Sequence, residues 1–262
     1  MNRAGCLAGR TVLVTRRRED AGAWVRRLED EGARAVVLPC LEIVPVDDPA
    51  LPRRLAGALA DPATRWFALT SPRGVDAAAG LLARAGTALP DGVAIAAIGE
   101  ATAERAARVL GREPLLVAPG GTGASLAAAL AERVPPGRSV TVVIAASDRG
   151  SRDLEEVLEP RGVRVARFAV YRTVPAPPRR PRIDLAALGV DTVLLASPSA
   201  VEGLLAQADV PPGVRLVAIG PVTARSIRAA GLEPAGVARS RDITGLIAAI
   251  PPLTLDGGPD DA

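Results

Sequence analysis

Hydroxyl side chains recur at positions suited to holding an anion. Ser71 ends an apolar run and precedes Pro72, and Ser197 precedes Pro198 in the same layout. Proline fits the first position of a helix, so each serine stands at a strand-to-helix junction. Gly99 and Gly220 also end apolar runs, and the first helical turns after them carry Thr102 and Thr223. Helix starts offer unpaired N–H groups and a positive dipole end, which suit carboxylates or phosphates. Ser and Thr are also the preferred helix caps, and for any one of these residues alone capping is the better explanation. Recurrence in two parts of the chain favours binding, although a duplication would copy caps as well. Tyr171 is the only tyrosine. Its phenol, with a pKa near 10, stays protonated at neutral pH and can donate a hydrogen bond to a departing hydroxyl. On bare sequence, an ordinary space-filling residue on a connecting strand is the better reading.

Missing residue types narrow the chemistry. There is no His and no Lys, so all 32 basic residues are Arg. That excludes a Ser-His-Asp triad, histidine metal sites, lysine Schiff bases and a P-loop. A cysteine nucleophile would have no imidazole as its base. Ala97-Ile98-Gly99 lacks the spaced glycines of a dinucleotide fingerprint, and Gly120-Gly121-Thr122-Gly123 has no lysine after it. No carboxylate pair stands out as an acid/base couple: Asp47-Asp48, Asp91 and Asp148 read as turn or cap residues.

The 262 residues are 48% hydrophobic and 23% charged, a globular balance. Aromatics make up only 2%, so the core must be built from Ala, Val, Leu and Ile. The net charge is +3 and the pI about 9.6. Basic residues are scattered apart from Arg16-Arg17-Arg18 and Arg179-Arg180, so no nucleic-acid partner is expected. Cys6 and Cys40 have neither metal-ligand nor disulfide-framework spacing, which suits reduced thiols in the cytoplasm. Cys6 follows Ala4-Gly5 with no apolar segment before it, so lipoprotein processing is not expected. The apolar runs are strand-sized, so neither a transmembrane helix nor a membrane partner is expected.

These residues must be carried by alternating strands and helices. Thr11 to Val14 reads as a strand, Asp20 to Glu31 as a helix stopped by Gly32, and Ala35 to Leu38 as the next strand. Further strands are expected at 65–70, 93–98, 115–118, 139–145, 163–170, 191–196 and 214–219, with helices between them. This rhythm predicts parallel sheets covered by helices on both faces.

The chain also repeats itself. Ala97-Ile98-Gly99 with Thr102-Ala103 matches Ala218-Ile219-Gly220 with Thr223-Ala224, and Gly111 to Pro114 matches Gly231 to Pro234. Ser71-Pro72 matches Ser197-Pro198, and Thr122-Gly123 and Thr244-Gly245 each open an Ala/Leu-rich helix. Leu28 to Arg34 resembles Leu158 to Arg164 but breaks the order, because it begins one copy and ends the other. A discontinuous domain explains this. The expected layout is one α/β domain at 7–38 plus 175–253 and a second at 46–166. Connecting strands are expected at 39–45 and 167–174, and a disordered tail at 254–262.

Together the motifs resemble those of the uroporphyrinogen-III synthase family over about 10–250. The resemblance is carried by Val12 to Arg16, Leu69-Thr70-Ser71-Pro72, Ala97-Ile98-Gly99 with Thr102-Ala103, and Ser147-Asp148-Arg149 with Arg152-Asp153-Leu154. Val170-Tyr171-Arg172-Thr173, Ser197 to Val201 and Ala218 to Pro221 with Thr223-Ala224 complete it. It implies an α/β fold of two similar parallel-sheet (flavodoxin-like) domains, the first discontinuous, joined by a two-stranded β linker with the active site in the cleft. It also implies a cofactor-free lyase that closes linear hydroxymethylbilane to uroporphyrinogen III, losing water and inverting the last pyrrole ring, through an azafulvene and a spiro intermediate. Tyr171 is then expected to be catalytic, assisting loss of the hydroxyl. Arg16, Ser71, Thr102, Ser147, Arg149, Ser197 and Thr223 are expected to bind the octacarboxylate substrate. Ion pairing at the surface is an equal reading of Arg16 and Arg149. Many relatives carry a further Arg where this chain has Ala145-Ala146-Ser147, so Arg149 or Arg152 is expected to compensate. The partners expected are the linear tetrapyrrole and, in transient contact, the enzyme that produces it; the protein is expected to be a cytoplasmic monomer. The rival reading is a non-catalytic hinge protein that closes on a small polyanion.

Overall fold

The computed structural model describes residues 6–134 and 140–252. Its elements begin with β1 (Thr11–Val14), α1 (Arg18–Asp30), β2 (Arg34–Val37) and β3 (Leu41–Pro45). Then come α2 (Leu51–Ala60), β4 (Thr64–Leu69), α3 (Pro72–Arg84), β5 (Ala94–Ala97), α4 (Glu100–Leu110) and β6 (Leu116–Val117). Next are α5 (Gly123–Arg133), β7 (Thr141–Ser147), α6 (Asp153–Leu158), β8 (Arg164–Pro175) and the short β9 (Ile183–Asp184). The chain closes with β10 (Thr192–Leu195), α7 (Pro198–Gln207), β11 (Ala208–Asp209), β12 (Arg215–Ala218), α8 (Pro221–Ala229), β13 (Pro234–Val237) and α9 (Ile243–Ala248).

The chain divides into two compact units, one from Met1–Glu42 and Val174–Ala262, the other from Ile43–Thr173. In the first, a five-stranded sheet runs β13-β12-β10-β1-β2, and every pairing is parallel. Alternation along the strands sends side chains to opposite faces. Val12, Val14, Leu194 and Val217 join Trp24 and Leu28 of α1 on one face. Leu13, Val193, Leu195 and Leu216 meet Leu204 of α7 and Ile227 of α8 on the other. Each such fully buried Val or Leu contributes about 1.5–3 kcal/mol.

The second unit holds a six-stranded sheet, β3-β8-β7-β4-β5-β6. The β8-β7-β4-β5-β6 part is parallel throughout. Phe67 and Leu69 face α2 and α3, while Trp66 and Ala68 face α5 and α6. Its strand order is that of the first sheet after a cyclic shift, with β7 in the place of β1 and β4 in the place of β10. The glycines matched by the repeat share a backbone role. Gly32 and Gly162 have φ of +84° and +82°, a left-handed turn that lets each helical segment end and the next strand begin.

The chain departs from the expected elements in several places. The first helix covers Arg18–Asp30 rather than Asp20 to Glu31. The strands expected at 163–170 and within 167–174 are one continuous strand, Arg164–Pro175. α9 is capped by Asp242, which accepts from the Gly245 N–H at 2.7 Å, so Thr244-Gly245 lies inside the helix instead of opening it. The tail expected at 254–262 lies outside the described residues, as does residue 139.

Candidate functional site

The second unit brings Ser71 and Tyr171 together. β4 ends at Leu69, and Ser71 caps α3 by accepting from the Gly74 N–H at 3.0 Å. An added Cβ on Gly74 would lie 3.2 Å from both Ser71 Oγ and Ala145 O, so glycine lets α3 sit close to β7. Tyr171 comes from β8. Ala146 pairs with Ala169 but Ser147 pairs with Tyr171, which makes Val170 an extra residue on β8. Such a bulge re-aims side chains, and here consecutive Val170 and Tyr171 both pack against the cluster formed with α3. Tyr171 Oη then lies 3.1 Å from Ser71 Oγ. A cavity of about 400 Å³ opens beside Tyr171, lined by apolar residues such as Ile43, Leu81 and Val170 together with Arg73, Asp76 and Arg84.

The loop after β7 is braced from below. Ser147 is half-buried at the strand end, and Arg149 is exposed in the turn that follows. Asp148 Oδ1 accepts from the Thr173 N–H at 3.3 Å, and its other oxygen lies 3.8 Å from Arg172 Nε. Arg167 donates to Ser151 O at 2.5 Å and holds buried Glu155 through Nε and Nη2 at 2.5 and 2.9 Å. Burial pushes the Glu155 carboxyl up, but the Arg167 hydrogen bonds and the nearby arginine charges outweigh it and hold the carboxyl below its ordinary value. Exposed Arg152 lies 3.7 Å from Glu155. Thr102 sits in the first turn of α4 at 2% exposure, bonded through its backbone N–H to Gly99 O at 3.1 Å.

The first unit repeats the junction with different furniture. Ser197 caps α7 by accepting from the Ala200 N–H at 3.2 Å. Ser197, Thr223, Gly220 and Arg241 line a cavity of about 280 Å³ between the starts of α7 and α8. Arg16 is half-buried, with its guanidinium 4.7 Å from the centre of the Trp24 ring. That stacking makes Arg16 part of the packing around α1. Arg241 was not anticipated from sequence.

The two thiols are poor nucleophiles. Burial pushes the Cys40 thiol up to about 12. A hydrogen bond to Glu31 at 3.1 Å, together with partial burial, raises the exposed Cys6 thiol as well. Among the described residues, no group of three or more His, Cys, Asp or Glu could hold a metal ion, and no helix is long and apolar enough to cross a membrane.

Comparison with known proteins decides the family. The model for uroporphyrinogen-III synthase HemD matches residues 22–248. The chain belongs to the uroporphyrinogen-III synthase family. These are cyclising lyases of tetrapyrrole biosynthesis. The chain is 29% identical to the chloroplastic uroporphyrinogen-III synthase of Oryza sativa subsp. japonica, covering 85% of this chain and 73% of that one. Its fold is similar to a crystal structure of a mutant uroporphyrinogen III synthase from the extremely thermophilic bacterium Thermus thermophilus. That match has a TM-score of 0.53 and 22% identity over 92% of this chain and 96% of that one. It is also similar to uroporphyrinogen-III synthetase from Helicobacter pylori 26695, with a TM-score of 0.54 and 14% identity over 91% and 97%. Within this uroporphyrinogen-III synthase family member, hydroxyls and helix starts at the carboxyl ends of parallel strands form the polar ground of each unit, as open α/β sheets favour.

Proposed function

We propose that the protein closes hydroxymethylbilane to uroporphyrinogen III, with loss of one water and inversion of the D ring, in a cleft to which both α/β units contribute. Tyr171 is the catalytic residue and Ser71 its orienting partner. The observation that carries this reading is the 3.1 Å contact between Tyr171 Oη and Ser71 Oγ at the capped start of α3. Ser71 Oγ accepts from the Gly74 N–H and keeps a proton to give to Tyr171 Oη. The phenol proton is then free to be donated to the terminal hydroxyl of the substrate. The C–O bond of that hydroxymethyl group breaks and water departs, leaving an azafulvene. Its exocyclic carbon bonds to the already substituted α-carbon of ring D to give a spiro intermediate. The bond from that α-carbon to its methylene bridge then breaks, and the bridge carbon bonds to the free α-carbon of ring D, which inverts the ring and releases the proton of that carbon.

The remaining task is positioning. Without constraint the tetrapyrrole closes in its original ring order, so the site must hold the chain where that closure is out of reach. Arg149, Ser147, Thr102, Ser197, Thr223 and Arg16 are proposed to take the substrate carboxylates together with the helix starts. The experiment is direct: generate hydroxymethylbilane in situ, add the protein, oxidise, and resolve the type I and type III uroporphyrins by chromatography. A dominant type III product is expected. Type I alone, from folded protein, sinks the proposal and favours a binding role.

A further inference from the structure

We propose that Arg241 is the anion-selecting residue of the cavity between α7 and α8, where it takes one carboxylate of the tetrapyrrole. The inference rests on the reaction proposed above. Its origin is a local imbalance of charge. An ideal Cβ on Gly220 would lie 3.9 Å from Arg241 Nε, so the guanidinium stands against the start of α8. A cation at the positive end of a helix is placed against the helix dipole. Arg241 has no acidic partner among the described residues. The adjacent Asp242 is committed to α9, accepting from the Gly245 N–H at 2.7 Å and from the Ser240 hydroxyl at 2.9 Å.

Two more groups at the same spot lack partners. No side chain caps α8, because its N-cap is Gly220. Thr223 is buried to 2% exposure, lines the cavity, and makes no side-chain hydrogen bond among the described residues. A guanidinium, a buried hydroxyl and an uncapped helix start therefore converge on about 280 Å³ of space whose lining contains no carboxylate. One carboxylate there would accept from all three, and the planar guanidinium fork fits its two oxygens. The repeated junction in the second unit lacks this feature, since a Cβ on Gly99 would instead meet Gly121 Cα at 3.4 Å. The two junctions thus differ in charge: Arg241 stands at the start of α8, whereas α4 carries Glu100 in its first turn. That difference lets a substrate with nearly equivalent pyrrole ends be held in one orientation.

Calorimetric titration of uroporphyrin III, an octacarboxylate, into wild type, Arg241→Gln and Arg241→Lys tests this, alongside steady-state kinetics on hydroxymethylbilane. Losing a charge-assisted hydrogen-bond pair should raise Kd and KM roughly 10- to 100-fold in Arg241→Gln. We expect the lysine variant to recover part of the affinity and the salt dependence of Kd to flatten in the glutamine variant. A folded Arg241→Gln with unchanged Kd and KM, alongside a wild type that makes type III product, overturns the role of Arg241 and leaves the reaction standing. A wild type that binds no uroporphyrin III and yields only type I product overturns the reaction and this inference with it.

Discussion

Tyr171 Oη lies 3.1 Å from Ser71 Oγ, and that same serine oxygen holds the first turn of α3 through the Gly74 N–H. One side chain thus serves a helix and a phenol together. The orientation of the tyrosine is tied to the end of β4 rather than left to the mobility of an exposed side chain.

Tyr171→Phe keeps the ring and removes the hydroxyl. General acid assistance is worth about 10²–10⁴-fold, so kcat should fall by roughly 10²-fold or more. The melting temperature and the affinity for uroporphyrin III should stay close to those of wild type. Wild-type turnover in this variant would remove Tyr171 from the chemistry.

Ser71→Ala and Ser197→Ala form a matched pair. Both serines cap helices in the same way, so each loss should cost about 1 kcal/mol of stability in urea unfolding. Only Ser71 is bonded to the tyrosine, so only Ser71→Ala should also depress kcat, by roughly tenfold. Equal kcat losses in the two variants would mean that the serines act as anchors for substrate and that the phenol needs no orientation.

Glu155→Gln probes the brace under the β7 loop. The Glu155 carboxyl is held below its ordinary value in the folded protein, so the folded state favours the charged form. Its contribution is fully present above the unfolded glutamate value, about 4.3, and is lost as pH falls below it. The substitution should cost about 2 kcal/mol at pH 7, a figure kept modest because Arg167 is 19% exposed to screening water. Stability curves of the two proteins should converge as pH drops below about 4. A constant gap at every pH would mean that the ion pair contributes nothing.

Gly203→Ala should be severely destabilising, although alanine inside a helix normally gains about 0.5–1 kcal/mol over glycine. An added Cβ on Gly203 would overlap the backbone carbonyl of Cys40, and backbone cannot swing aside as a side chain can. Loss of several kcal/mol, seen as a collapsed melting transition or insoluble protein, is expected. A fully stable variant would show that α7 can lift away from residue 40.

Much of the α/β architecture was legible because its central strands are buried on both faces and so read as short apolar runs. Thr11–Val14 and Thr192–Leu195 are such segments. Pro234–Val237 escaped notice because Pro and Gly are poor strand formers; it is tolerated as the sheet's edge strand. The unbroken length of Arg164–Pro175 was hidden for the opposite reason, since no turn residue marks where pairing with β7 shifts register. Ser71 and Ser197 were visible from the proline that follows each. Their partners were not, because the Tyr171 contact depends on one extra residue in β8. Arg241 depends likewise on how the loop after β13 folds back over α8, and no local spacing encodes that. Arg16 carried an expectation of carboxylate or surface ion pairing, and its place over Trp24 could only be seen once α1 was in position.

The interrupted layout of the first unit also sets a timetable. Thr15, just after the interior strand β1, donates to Leu194 O, 179 positions further along the chain. At a synthesis rate of about 5–20 residues per second, β1 waits roughly 10–35 s for that partner. All of Ile43–Thr173 leaves the ribosome during the wait. The second unit can therefore be finished first, while β1 and β2 remain a half-sheet with an unpaired edge of Val and Leu. For a nascent chain of this design, the time of greatest exposure to chaperones and to aggregation falls between the emergence of residue 37 and that of residue 195.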